Sequence, residues 1–172
     1  RGNGMKRRVL RKASGAVAGG AVMLAFMGAV GIHAEGADTG LPPEYIQYCE
    51  EAGQTYNICP ELLEAVIEAE SGGDPFAVGA AGETGLMQVY PEYHMERMGR
   101  LGVASLSDPK GNIFVGADYL SELFLEYGDA GTVLMVYNGT ENAEARGSAG
   151  DYTGYAEGIL GRSAQLERLH KK

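Results

Sequence analysis

Pro60-Glu-Leu-Leu-Glu-Ala-Val-Ile-Glu-Ala-Glu70, followed by Ser71-Gly72-Gly73-Asp74-Pro75, is the stretch whose reading decides the fold. Proline at a first helical position sacrifices no hydrogen bond, and the Ser-Gly-Gly-Asp-Pro run stops the helix. At about 100° per residue, Leu63, Val66, Ile67 and Glu70 share one face, with Leu62 and Ala69 on its flank. Glu61, Glu64 and Glu68 are expected to face solvent. Glu70 thus prolongs the apolar stripe rather than the acidic one. Burial disfavours the charged form of a carboxyl and raises its pKa, which suits a general acid working near neutral pH. Periodicity alone equally allows a helix-end glutamate that reaches water.

The rest of the chain is read outward from this helix. Leu41-Pro42-Pro43 opens a preceding helix, about 43–53, with Tyr45, Ile46, Cys49 and Ala52 as its apolar side. Residues 71–85 read as a loop and 86–98 as a return to short helical character. Asp108-Pro109 starts a long helix to about Tyr127, in which Ile113, Phe114, Ala117, Leu120, Leu123 and Phe124 repeat at helical spacing. Residues 130–137 form another apolar helix ended by Asn138-Gly139, 141–150 a loop, and 152–169 a last helix. Its basic end, His170-Lys171-Lys172, suits the helix dipole. No repeat and no alternation suited to a sheet is present. The expected fold is mainly α, one helical domain.

Charge is unevenly placed. Arg1, Lys6, Arg7, Arg8, Arg11 and Lys12 precede an uncharged run from Ala13 to Val30. This is the pattern of an export segment, either a signal peptide or a signal anchor whose residues 13–30 tether the chain to a membrane. From Glu35 onward eight Lys and Arg face 23 Asp and Glu, a balance of −15. Such an acidic surface argues against nucleic acid as a partner. A polysaccharide would instead be held by hydrogen bonds and stacking, with ten Tyr and four Phe available and no Trp. Export permits a disulfide between Cys49 and Cys59. Helices packed about 8–10 Å apart would strain the roughly 7 Å limit on Cα separation, and the bridge stays open. No His accompanies the pair at ligand spacing, so neither a metal nor a cofactor is expected.

Four blocks follow one another along the chain: Glu70-Ser71; Gly85-Leu86-Met87-Gln88; Asn112-Ile113-Phe114-Val115-Gly116-Ala117-Asp118-Tyr119-Leu120; and Val136-Tyr137-Asn138-Gly139. In that order they resemble the soluble-type lytic transglycosylases (the SLT domain), which have the goose-type lysozyme fold. The resemblance runs from about Glu44 to Leu160. With the export segment, it gives an expected organisation of signal peptide or signal anchor 1–34, linker 35–42, SLT-like catalytic domain 43–162 and basic helix end 163–172. Peptidoglycan glycan strands are the partner it implies; no protein partner is indicated. The location it implies is extracytoplasmic, secreted or membrane-anchored.

The resemblance makes Glu70 both acid and base. It would protonate the glycosidic oxygen between N-acetylmuramic acid and N-acetylglucosamine, then deprotonate the muramyl C6 hydroxyl to close a 1,6-anhydro ring. The substrate's acetamido group would assist in place of a protein nucleophile, one of the known exceptions to the two-carboxylate rule. Substrate contacts are expected from Ser71, Met87, Gln88, Tyr137, Asn138 and Tyr155 by the same match. Asn112, Ile113, Gly116 and Leu120 are read as packing the long helix behind the cleft. Three positions depart from the pattern: Asp74 stands where Asn is usual, Gly79 where Ser is common, and Val136 where Ala precedes Tyr-Asn. Glu83 is the best-placed second carboxylate, with Glu141 and Glu144 behind it. If Glu83 reached the cleft, ordinary hydrolysis would become more plausible. The alternatives are a hydrolytic muramidase on the same fold and a wall-binding or assembly protein without turnover.

Overall fold

The structure, a computed structural model, describes residues 39–170. The export segment and the first part of the linker expected from the sequence fall on residues 1–38, outside the described residues. Seven helices follow in order: α1 (Pro43–Tyr56), α2 (Pro60–Glu70), α3 (Pro91–Leu101), α4 (Pro109–Tyr127), α5 (Ala130–Tyr137), α6 (Ala143–Ser148) and α7 (Gly154–His170). Among the described residues no strand is formed, only isolated antiparallel bridges between Val78 and Thr84 and between Thr84 and Val89. None of these helices is long and apolar enough to cross a membrane.

The local chemistry explains where the helices begin and end. Proline occupies the first turn of α1, α2, α3 and α4, where its missing N–H costs nothing. Asp108 caps α4 by accepting from the Gly111 amide at 2.7 Å, and Asp129 caps α5 by accepting from the Thr132 amide at 2.8 Å. α1 runs to Tyr56, past the expected end at Gly53, because Asn57 adopts the left-handed conformation that closes a helix.

α2 is the central element, packed between α1 and α7. Leu62 through Ile67 are all buried, and each large apolar side chain among them stabilises the fold by ~1.5–3 kcal/mol. This overturns the solvent-facing reading of its acids, since α1 and α7 cover the face assigned to water. Glu64 is 1% exposed, and its charge helps push up the pKa of the buried Cys49 thiol, which burial raises first. Glu68 receives two hydrogen bonds from Arg162 of α7, at 2.7 and 2.9 Å. Glu61 accepts from the Cys59 thiol at 3.0 Å and lies 3.0 Å from His170. Both cysteines are free.

Two further expectations are corrected. Residues 86–90 are not helical: Gln88 takes φ +46° and Val89 turns back to exchange hydrogen bonds with Thr84, at 2.9 and 3.1 Å. Helix resumes only at Pro91. The loop expected over 141–150 contains α6, entered through Asn142 at φ +57°. Gly147 of α6 sits so close to Thr132 of α5 that a Cβ there would meet its hydroxyl at 1.8 Å. Tertiary packing made that helix, not local propensity.

Candidate functional site

The C-terminal turn of α2 delivers Glu70, part-buried, to a place where no cation among the described residues pairs with it. The Tyr155 hydroxyl of α7 donates to Glu70 Oε1. Burial raises the Glu70 pKa, the Tyr155 hydrogen bond opposes that, and the charge of Glu83 adds to the rise. The effect is reciprocal: burial and then Glu70 raise the Tyr155 pKa, and burial and then Glu70 raise that of Tyr137. Glu70 is therefore a carboxyl biased toward its protonated form and surrounded by phenols.

Facing the end of α2 is the Gly85–Val89 turn, and three sets of bonds fix it. The Ser71 hydroxyl, one residue past Glu70, donates to the Leu86 carbonyl at 2.8 Å, so the helix end and the turn are stapled together. The buried Asn112 of α4 ties the same turn to its flanks. Its oxygen accepts from the Met87 amide at 2.8 Å, and its nitrogen donates to the Thr84 and Leu106 carbonyls at 2.9 Å each. Gly85 has φ +80°, and a Cβ there would lie 2.3 Å from the Asn112 nitrogen, so this position admits no side chain. Finally, the Tyr137 hydroxyl donates to the Met87 carbonyl at 2.7 Å.

The residues named from the sequence thus fare differently. Glu70, Tyr155, Tyr137, Ser71 and Gln88 are brought together around this turn. Gln88 commits both amide hydrogens to the loop, on the Ala77 and Gly85 carbonyls at 3.2 and 2.9 Å, leaving its carbonyl oxygen to meet a ligand. Met87 is corrected: its side chain is fully buried, and a Cβ on Gly116 would lie 2.5 Å from its sulfur, so it packs on α4 as core and serves the site through its backbone. Ser71 bonds backbone, not carboxyl. Asn138 ends α5 through its backbone N–H and its side chain is exposed. Asn112 and Gly116 hold the turn from behind, as their reading as packing residues expects.

Sequence reasoning missed the neighbouring cleft, a cavity of about 580 Å³ lined by Tyr90, Tyr93, His94, Arg97, Tyr119 and Tyr137 among others. Tyr119 stacks on Tyr137 with ring centres 5.5 Å apart and on His94 at 4.6 Å, and the Arg97 guanidinium lies 5.0 Å from its centre. Arg97 donates to Asp118 at 2.6 Å and to Glu122, while Arg100 donates to Asp118 at 2.8 Å. Arg97 also donates to His94 Nδ1 at 2.5 Å, which fixes a neutral imidazole with its proton on Nε2. Burial and then Arg97 lower the His94 pKa to about 4. The signal was present in the sequence as His94/Arg97 and Asp118/Glu122, spaced one helical turn apart on two helices. Tyr137 joins the two halves of the site, with Glu70 on one side and Tyr119 on the other.

With this geometry established, the relatives are informative. The family model for the transglycosylase SLT domain matches residues 47–157. The chain belongs to the transglycosylase SLT domain family. It is 38% identical over 91 residues to a transglycosylase of Enterobacteria phage PRD1, covering 53% of this chain and 33% of that protein. It is 39% identical over 87 residues to an endo-type membrane-bound lytic murein transglycosylase A of Klebsiella pneumoniae, covering 46% of this chain and 43% of that one. To the invasion protein IagB of Salmonella typhimurium it is 34% identical over 95 residues, covering 51% and 59%. The chain thus spans a third to somewhat over half the length of these curated relatives. The fold is shared with the 70 kDa soluble lytic transglycosylase of Escherichia coli, with a TM-score of 0.61 at 20% identity over 74% of this chain and 25% of that one. The bulgecin A complex of the 70-kDa soluble lytic transglycosylase gives a TM-score of 0.64 at 21% identity, over 76% of this chain and 25% of that one.

Proposed function

We propose that this protein is a peptidoglycan lytic transglycosylase in which Glu70 acts first as acid and then as base. The protonated Glu70 gives its proton to the glycosidic oxygen between N-acetylmuramic acid and N-acetylglucosamine, and the C1–O4 bond breaks. The resulting carboxylate takes the proton of the muramyl C6 hydroxyl as O6 bonds to C1, closing the 1,6-anhydro ring and restoring the acid. One group thereby supplies a proton and recovers one, and the cycle needs no water.

The observation that carries this reading is the setting of Glu70: part-buried, biased toward its acid form by burial, and hydrogen-bonded by a phenol, with no cation paired to it among the described residues. Tyr155 supports the ionised form that arises midway. The exposed ring of Tyr93 and that of Tyr90, both lining the neighbouring cleft, offer apolar faces for sugar rings. Gln88 presents its carbonyl oxygen to a sugar hydroxyl or amide. The murein transglycosylase and phage transglycosylase relatives favour the same substrate class. Action on the wall from outside the cytoplasm, with residues 1–34 exporting or tethering the chain, belongs to this reading.

Purified sacculi test it. Glu70→Gln is nearly isosteric but holds no transferable proton, so clearing should fall by about 10²–10⁴-fold while sedimentation with sacculi persists. Unchanged clearing by that variant refutes the assignment.

A further inference from the structure

His94 on α3 is a buried donor without an acceptor. The residue is 8% exposed, and Arg97 takes up its Nδ1 by donating to it at 2.5 Å. The proton left on Nε2 has no acceptor among the described residues. Burial and then Arg97 hold the ring neutral around pH 7, so it can only donate. A buried N–H without a partner is unfavourable until water or a ligand meets it. His94 forms part of the wall of the 580 Å³ cleft, and there a partner can reach it. That volume lies within the ~300–1,000 Å³ usual for ligand sites. Tyr90 and the 72% exposed Tyr93 stand at the rim, with His94 and the half-buried Tyr119 further in. Arg97 brings little free charge, since Asp118 and Glu122 accept from it. The exposed Glu96 and Arg100 add one charge of each sign at the edge. Glu70 is not part of this wall. Tyr137 is, and its hydroxyl holds the Met87 carbonyl of the turn that faces Glu70, so the cleft lies beside the acid and not over it.

We propose that this cleft is the subsite for the peptide that peptidoglycan carries on its muramyl residues, with His94 donating from Nε2 to a peptide carbonyl. This rests on the reading of the substrate as peptidoglycan. The muramyl ring lies against Tyr90 and Tyr93 at the rim, and its peptide enters the cleft while the glycosidic bond stays with Glu70. A peptide suits this wall better than a bare sugar strand. It brings amide carbonyls for the buried N–H, and ionised groups of both signs for Glu96 and Arg100. His94 is then a specificity-determining residue: it grips a substituent of the substrate and touches no reacting atom.

Calorimetric titration of the full-length protein bearing Glu70→Gln with soluble glycan strands reads binding without turnover. Strands that keep their peptides should bind roughly tenfold more tightly than the same strands stripped by an amidase, the worth of one or two hydrogen bonds. In that background His94→Asn offers Oδ1 where Nδ1 stood, so Arg97 keeps an acceptor, but no N–H reaches the Nε2 position. Its affinity for peptide-bearing strands should fall about fivefold. His94→Gln returns an N–H near Nε2 and should restore most of that loss. A purely structural role, resting on Arg97, would reverse this order. Equal affinity for both kinds of strand, or His94→Gln weaker than His94→Asn, overturns the peptide subsite. So does an equal loss in His94→Asn on stripped strands, which would give the N–H to an acetamido group. The comparison of strands needs no change at His94 and carries the test if neither variant folds. Binding of neither strand would remove the peptidoglycan reading beneath it, and anhydro ends released by Glu70→Gln would remove the assignment of the acid alone.

Discussion

Glu70 and Asp118 are both part-buried carboxylates, and both act on the aromatic stack of Tyr119 and Tyr137. Asp118 reaches it through Arg97, which covers Tyr119, whereas Glu70 acts on Tyr137. Burial pushes both pKa values up, but the outcomes are opposite. Hydrogen bonds from Arg100 and Arg97 bring Asp118 below the ordinary carboxylate value. Glu70, with one phenol and a like charge for company, stays raised. The neighbour decides whether a carboxylate anchors the fold or can move a proton. The Asp118 cluster ties α3 to α4 and thereby positions Tyr119, and the Glu70 side is left uncompensated.

Removing the cations from the anchored side should have the largest effect. Arg97→Met takes away the guanidinium that bonds Asp118, Glu122 and His94 together. Arg100 still compensates Asp118 in part, so a loss of ~3 kcal/mol is expected, at the low end for breaking a buried pair. Urea unfolding would measure it, and a loss under ~1 kcal/mol would mean that the cluster is solvated decoration.

A smaller change sharpens the other side. Tyr155→Phe deletes the hydroxyl that favours the ionised form of Glu70, so the Glu70 pKa should rise further. The acid form is the one that starts the reaction, and activity is lost as pH climbs through that pKa. The alkaline limb of the rate profile should therefore move to higher pH. The rate at the optimum should fall about tenfold, the worth of one hydrogen bond to a charged group. A limb that moves to lower pH would contradict the role given to Tyr155.

The sequence-based reading went furthest where local chemistry and packing agreed. Pro60 and the Ser71-Gly72-Gly73 stop bounded α2 because helix ends obey backbone rules that neighbours rarely override. Glu70 was legible because one acid broke an apolar period. Glu64 was misplaced for a related reason: one helix face was assumed wet, but α2 is wrapped by α1 and α7, and periodicity cannot count how many neighbours a helix has. The Gly85–Val89 turn was hidden for another. Its shape comes from Asn112, twenty-five residues from Met87, and from a positive φ at Gln88 that no local propensity would assign. Met87 followed from that turn, since only the fold decides which side of it faces α4. The Arg97 cluster needed two helices to be set side by side before its charges meant anything.

The central claim is that its surroundings bias Glu70 toward its acid form. A ¹³C NMR titration of the carboxyl resonances, with Glu70 assigned by its absence from Glu70→Gln, measures this directly. The midpoint should lie above the ordinary glutamate value of 4.5 and well above that of Asp118. A Glu70 midpoint at or below 4.5 would show that its surroundings do not favour the acid form, and the account of its chemistry would fail.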